Sequence, residues 1–198
     1  SGAQIARDAG DIILLDNNFR SIISAVHEGR TIYANIKRMV VYLLATNLGE
    51  VLVSIGSLLV GLPIPLLPVQ ILWVNLVTDT TMVIPLGVEP GSPQAMRRSP
   101  YHPKAPLLSR FMLSRVGLIA VVMAVITLGL YSMYYHSHGE GYARTIAFCA
   151  LVVMQWASAL AARSDYEPVW RRARRWSTAF YGGLAVSIVL QLVALFGP

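Results

Sequence analysis

Apolar residues run through this chain in five long blocks, at 39–60, 66–88, 111–135, 143–162 and 177–197. Each is long enough to cross a bilayer as a helix, which takes about 20 residues. The first 30 residues follow another pattern. The stretch "ARDAGDIILLDNNFRSIISAVHEGR" predicts a helix end, a short strand at Ile12–Leu15 and a turn at Asp16, Asn17 and Asn18. An amphipathic helix follows, with Phe19, Ile22, Ile23 and Val26 on one face. The expected fold is mainly α: a polytopic helical membrane domain with five transmembrane helices, preceded by a short α/β remnant of a cytoplasmic domain. Residues 1–34 form that remnant and the base of a stalk, and 35–198 form the membrane domain. No proline or polar loop interrupts Thr31 to Val60. A helix of that length is about 45 Å long against a hydrocarbon core of about 30 Å. It should therefore stand out of the membrane as a stalk.

Composition agrees with the pattern. Of 198 residues 55% are hydrophobic and 13% charged, with a mean hydropathy of +0.57. A soluble domain carries about 25% charged residues. The net charge of +6 does not point to nucleic acid, because the basic residues sit in short clusters between apolar runs instead of alternating with aromatics on a polar surface. Fifteen of the 16 Lys and Arg lie in 1–38, 89–115 and 163–175, and the remaining one is Arg144. These are alternate loops, as five crossings require, and the positive-inside rule makes them cytoplasmic. Residues 1–38 are thus expected on the cytoplasmic side, and "RRARRW" reads as an anchor at the lipid headgroups. One cysteine, Cys149, allows neither a disulfide framework nor a thiolate metal site within the chain. The sequence begins at Ser1 with no signal peptide, so a piece of a longer protein is expected.

Several polar residues interrupt the apolar blocks. Asn47 and Glu50 stand three apart in "NLGEVLV", and Asn75, Thr78 and Asp79 stand at i, i+3 and i+4 in "WVNLVTD". Each set shares a helical face. The turn "GLPIPLLP" makes the two spans antiparallel neighbours, so two carboxylates, two amides and a hydroxyl can converge. All are hard oxygen donors of the kind that suit Ca²⁺, which takes 6–8 oxygens, and not a soft metal. Hydrogen bonding between helices is the competing role, and for Thr78 it serves equally well. It serves poorly for Glu50 and Asp79, since a charge at mid-membrane costs at least about 2.5 kcal/mol on insertion scales. His27, His102, His136 and His138 read as solvated surface, and Gly49, Gly56 and Gly61 as places of close helix approach.

At these residues the chain resembles a known family. "NLGEVLV" followed by "LPVQILWVNLVTDT" is similar to the fifth and sixth transmembrane helices of type II P-type cation-transporting ATPases, the Ca²⁺-pump branch. "GAQIARDAGDIILLDNNFRSIISAVHEGRTIYANIKR" looks like the end of that family's phosphorylation domain and its stalk, and "KAPLLSR" like the loop before the seventh helix. The resemblance implies that Asn47, Glu50, Asn75, Thr78 and Asp79 are cation ligands, with Gln155 of "VVMQWASAL" at a further ligand position. It implies a parent that exports Ca²⁺ through an aspartyl-phosphate, with Mg²⁺ and ATP bound elsewhere in the pump. Its partners are then membrane lipid and the actuator domain, nucleotide-binding domain and first four helices, with no nucleic acid. The Na⁺/K⁺ pumps tend to carry an aspartate where this chain has Asn75, and heavy-metal pumps have only two spans after the phosphorylation domain. The early proline of the family's sixth helix is missing from "TTMVIPLG", where Pro85 comes later. A pump for Na⁺ or Mg²⁺, and a five-span channel or secondary transporter without ATPase activity, are the alternative readings.

Overall fold

The protein is described by a computed structural model that covers residue 13 and residues 18–91, 95–97, 99, 106–163 and 177–197. Five helices in it are long and apolar enough to cross a membrane. Helix α1 spans Phe19–Leu59. The second span, Pro68–Gly87, consists of α2 (Pro68–Trp73), a π-helical turn (Val74–Thr78) and α3 (Asp79–Gly87). Helices α4 (Arg110–His138), α5 (Glu140–Ala162) and α6 (Thr178–Phe196) complete the bundle.

Among the described residues there is no strand. The expected strand at 12–15 lies outside them, apart from Ile13, which belongs to no regular element. No α/β remnant is therefore shown, and every regular element among the described residues is helical.

Helix α1 joins the expected amphipathic segment and the stalk into one rod of 41 residues, about 61 Å long at 1.5 Å per residue. Asn18 starts it, its Oδ1 accepting from the Arg20 amide at 3.0 Å. No proline follows before the turn at Gly61, whose φ of 73° suits glycine. Phe19, Ile23 and Val26, expected on an apolar face, are exposed. At the same end of the bundle as the Gly61 turn, α4 and α5 are separated by Gly139 alone. Its φ of 85° reverses the chain in one residue, where the sequence suggested a loop at 136–142.

Helix α1 packs along α4, and α4 along α5. Gly49 lies against Met123, where a Cβ would come 3.4 Å from that side chain. Val53, Val74, Met123, Ala124, Leu151 and Val152 close one core cluster across four spans. A second cluster joins Tyr42, Met82, Leu86, Ala159 and Phe180. Helix α6 crosses α3 at Gly183, where a Cβ would collide with the Thr81 carbonyl and the Pro85 ring. Pro85 has no N–H to give to that carbonyl, four residues back. The missing side chain at Gly183 is what lets α6 close over the spot. Two tryptophans tie α6 down: Trp73 Nε1 donates to Gln191 Oε1 at 3.1 Å and Trp156 Nε1 to Ser187 Oγ at 2.9 Å.

Candidate functional site

Glu50 projects from the buried stripe of α1 formed by Tyr42, Thr46, Gly49, Glu50, Val53 and Ser57. Two other spans reach its carboxylate. Asn75 Nδ2 donates to Oε2 at 3.1 Å, and Gln155 Nε2 donates to Oε1 at 3.0 Å. Asn75 also donates to the Ile71 carbonyl at 3.0 Å, which fixes its amide to its own helix. Helix α1, the second span and α5 therefore meet at one carboxylate.

Asp79 is also buried, and Tyr42 Oη donates to its Oδ1 at 3.1 Å. Neither Glu50 nor Asp79 is paired with a cation among the described residues. Two acids in a low-dielectric interior, supported only by neutral donors, form a locus of negative potential that a cation would relieve. The donors are oxygens and amides, and no group of three or more His, Cys, Asp or Glu side chains gathers among the described residues. To ligate a cation, the Asn75 and Gln155 amides must turn so that oxygen, and not nitrogen, faces the ion.

The π-helical turn places these residues. It runs from Val74 to Thr78 and so carries Asn75 and Thr78, and the Asp79 amide bonds back to the Val74 carbonyl. One extra residue in the turn rotates Asn75 relative to Asp79, so that Asn75 reaches Glu50 and Asp79 reaches Tyr42. Single π turns occur frequently at functional sites. Below the turn the helix continues unbroken through Asp79–Gly87. The backbone irregularity thus lies before Asp79, not after it. Thr81 supports this region, its Oγ1 donating to the Val77 and Thr78 carbonyls at 2.8 and 3.0 Å.

Of the six residues singled out from the sequence, the structure brings Glu50, Asn75 and Gln155 into direct contact. Asp79 and Thr78 are buried on the same span as Asn75. Asn47 does not join. It is exposed, and its Nδ2 bonds to the Leu43 carbonyl on its own helix at 2.8 Å. One residue was missed: Tyr42, which holds Asp79. Its signal was present, because Tyr42, Thr46 and Glu50 recur every four residues on one helical face.

Comparison with known proteins agrees with the geometry. The family model described as "Cation transporting ATPase, C-terminus" matches residues 63–198. The calcium-transporting ATPase of Bacillus subtilis (strain 168) is 38% identical over 200 residues, covering 100% of this chain and 22% of that protein. The cation-transporting ATPase pma1 of Synechocystis is 36% identical over 152 residues, 76% of this chain and 17% of its own length. Calcium-transporting ATPase 1 of Bacillus cereus is 46% identical over 109 residues, 55% of this chain and 12% of its own. The chain thus spans about a fifth of the length of the first of these relatives. A helical membrane bundle with acids at its centre and this match across most of its length leads to one conclusion: the chain belongs to the cation-transporting P-type ATPases and corresponds to their C-terminal membrane region.

Proposed function

We propose that this chain supplies the stalk and most of the cation site of an ATP-driven pump that exports Ca²⁺ from the cytoplasm through an aspartyl-phosphate cycle. The observation that carries the reading is the meeting of three spans at Glu50, through Asn75 and Gln155 at 3.1 and 3.0 Å. Beside it lies a second buried acid, Asp79, held by Tyr42. When ionised, Glu50 and Asp79 ligate the cation. Thr78 and the turned amides of Asn75 and Gln155 supply neutral oxygens, and Asn47 lies at the open flank of the site. An all-oxygen set of this kind suits Ca²⁺. The names of the Bacillus relatives support the same ion.

The basic loops place residues 1–38 in the cytoplasm. The rest of the pump, with its actuator and nucleotide-binding domains, its first four helices and its Mg²⁺–ATP site, then lies outside this chain. The chain alone should not hydrolyse ATP. The deciding experiment measures ATPase activity of the full-length pump across Ca²⁺, Mg²⁺, Na⁺ and K⁺. Stimulation by micromolar Ca²⁺ is expected, and a pump that ignores Ca²⁺ overturns the reading. A pump for another cation is the second reading. It is favoured by the low count of acids at the site and by the broader name of the Synechocystis relative.

A further inference from the structure

Glu50 is not the only place where α1, the second span and α5 meet. A second junction lies below it, at the ends that the basic loops place on the cytoplasmic side. Glu89 stands two residues past α3, and Arg163 one residue past α5. The Arg163 guanidinium donates to Glu89 Oε1 from Nε and from Nη2 at 3.2 and 2.8 Å. From α1, Asn35 Nδ2 donates to the Gly87 and Glu89 carbonyls. Both members of the ion pair are buried.

The two junctions repeat one spacing. On α1, Asn35 and Glu50 are fifteen residues apart, about 22 Å, and both belong to its buried stripe. On the second span, Asn75 and Glu89 are fourteen residues apart, about 20 Å by the same rise. Two antiparallel spans with matched spacings join at both levels in one register, and a slide of one turn breaks both. Helix α5 runs in the same direction as the second span. It too is held at both levels, by Gln155 above and by Arg163 below.

The second span needs such a tie. Between Asp79 and Glu89 it contains Pro85, which takes away the helical donor of the Thr81 carbonyl and makes a bend easy. Directly before Asp79 lies the π turn. The helix alone therefore does not fix the height of Asn75 and Asp79 against α1 and α5. The ion pair fixes it from below the proline. Aromatic rings wall the pair in, with the guanidinium carbon 4.6 Å from the Phe180 ring centre and 5.3 Å from that of Tyr181. A buried ion pair is a poor source of stability, because apolar residues of similar volume often do as well or better. It is a good selector of register, since a charge drawn away from its partner is left in a dry interior.

We propose that Glu89 and Arg163 are positioning residues: their ion pair sets the axial register of the second span against α5, and so brings Asn75 and Gln155 to the same carboxylate. The register stands on the geometry. Its consequence for a cation rests on the pump reading above.

The test uses the full-length pump, freed of other reactive cysteines, with spin labels at Leu72→Cys on the second span and Val153→Cys on α5. Both positions are exposed and carry no site residue. Distances between the labels, measured without cation or ATP, read the register independently of transport. Arg163→Met combined with Glu89→Leu removes the pair and fills its volume. This double variant should melt within a few degrees of the wild-type pump, yet show a clearly broader label distance. Its half-saturating Ca²⁺ for phosphorylation by ATP should rise several-fold, with the maximal phosphoenzyme unchanged. Arg163→Lys keeps the charge and should stay close to wild type in both measurements. A double variant with wild-type label distances overturns the proposal. So does one that fails to fold, which would make the pair a support of the whole bundle. Broadened distances with an unchanged Ca²⁺ dependence would likewise remove the pair from the cation site. A wild-type pump that ignores Ca²⁺ strikes the pump reading instead, and the label distances then decide the register by themselves.

Discussion

The guanidinium of Arg163 donates twice to one carboxylate oxygen of Glu89, from Nε at 3.2 Å and from Nη2 at 2.8 Å. Both side chains are fully buried. The same guanidinium lies 4.6 Å over the Phe180 ring of α6. On the other side, Asn35 of α1 donates to the Gly87 and Glu89 carbonyls at 3.1 and 2.8 Å, and Arg38 Nη1 holds the Asn35 oxygen at 2.9 Å. The segment that follows α3 is therefore gripped by α1, by the end of α5 and by α6.

Removing one charge of this pair should be far worse than removing both. Arg163→Met takes the guanidinium away from a buried carboxylate, and breaking a buried pair in this way costs about 3–5 kcal/mol. Adding Glu89→Leu to that variant should recover most of the loss. Thermal unfolding of the full-length pump, with both single variants and the double, reads the cycle. Equal losses that simply add would show that the two side chains do not act as a pair.

Glu50→Gln and Asp79→Asn in the full-length pump should each abolish high-affinity cation binding. Each change keeps the size and one oxygen and removes the charge. Tyr42→Phe should weaken binding less, since it removes only the hydroxyl that holds Asp79 at 3.1 Å. Glu28→Gln, at an exposed position of α1, is the control and should be silent. Cation-dependent phosphorylation by ATP measures all four, and normal affinity in Asp79→Asn would show that the site is misplaced.

Inserting Gly-Gly next to Arg38 should leave phosphorylation by ATP intact and stop transport. The insertion breaks the unbroken rod Phe19–Leu59 below the buried acids. Phosphoenzyme formation and cation uptake into vesicles are measured side by side. Full uptake by the insertion variant would remove α1 from the coupling path.

The pump should carry one Ca²⁺ per cycle. Two such ions need enough negative charge to offset their repulsion, and the site gathers only Glu50 and Asp79 from these spans. Gln155, at the further position, is neutral and at present donates its nitrogen to Glu50. Equilibrium binding of radioactive calcium, normalised to phosphoenzyme, gives the ratio. A value near two, with the second ion lost in Gln155→Ala, would show that a neutral oxygen suffices.

The spans were legible because burying a helix in lipid demands a long apolar run, and each run ends where a cap or a glycine ends the helix. The acids were legible because a charge in such a run requires a reason. Asn47 stands apart because it lies one step around the helix from the buried stripe, on the side of the exposed Leu44, Leu48 and Val51. Spacing alone does not say which edge of a face is covered. Tyr42 is harder to single out, because a tyrosine near a span end is at home in the interfacial belt. The π turn had no herald at all: Val74–Thr78 contains neither glycine nor proline, and its extra residue is set by what Asn75 and Asp79 each reach. Gly139 shows the opposite case, where one residue with positive φ does the work expected of a seven-residue loop.

A rod without a joint transmits twist as faithfully as it transmits thrust. Between Phe19 and Glu50 nothing in α1 can absorb torque, so a turn imposed at the far end arrives at the acid undiminished. At a Cα radius of about 2.3 Å, a rotation of about 30° displaces every Cα by roughly 1.2 Å, and the longer Glu50 side chain by more. That is enough to swing its carboxylate off the Asn75 and Gln155 amides without sliding the helix along its axis. Helix α1 would then work as an axle, with Glu50 as its cam.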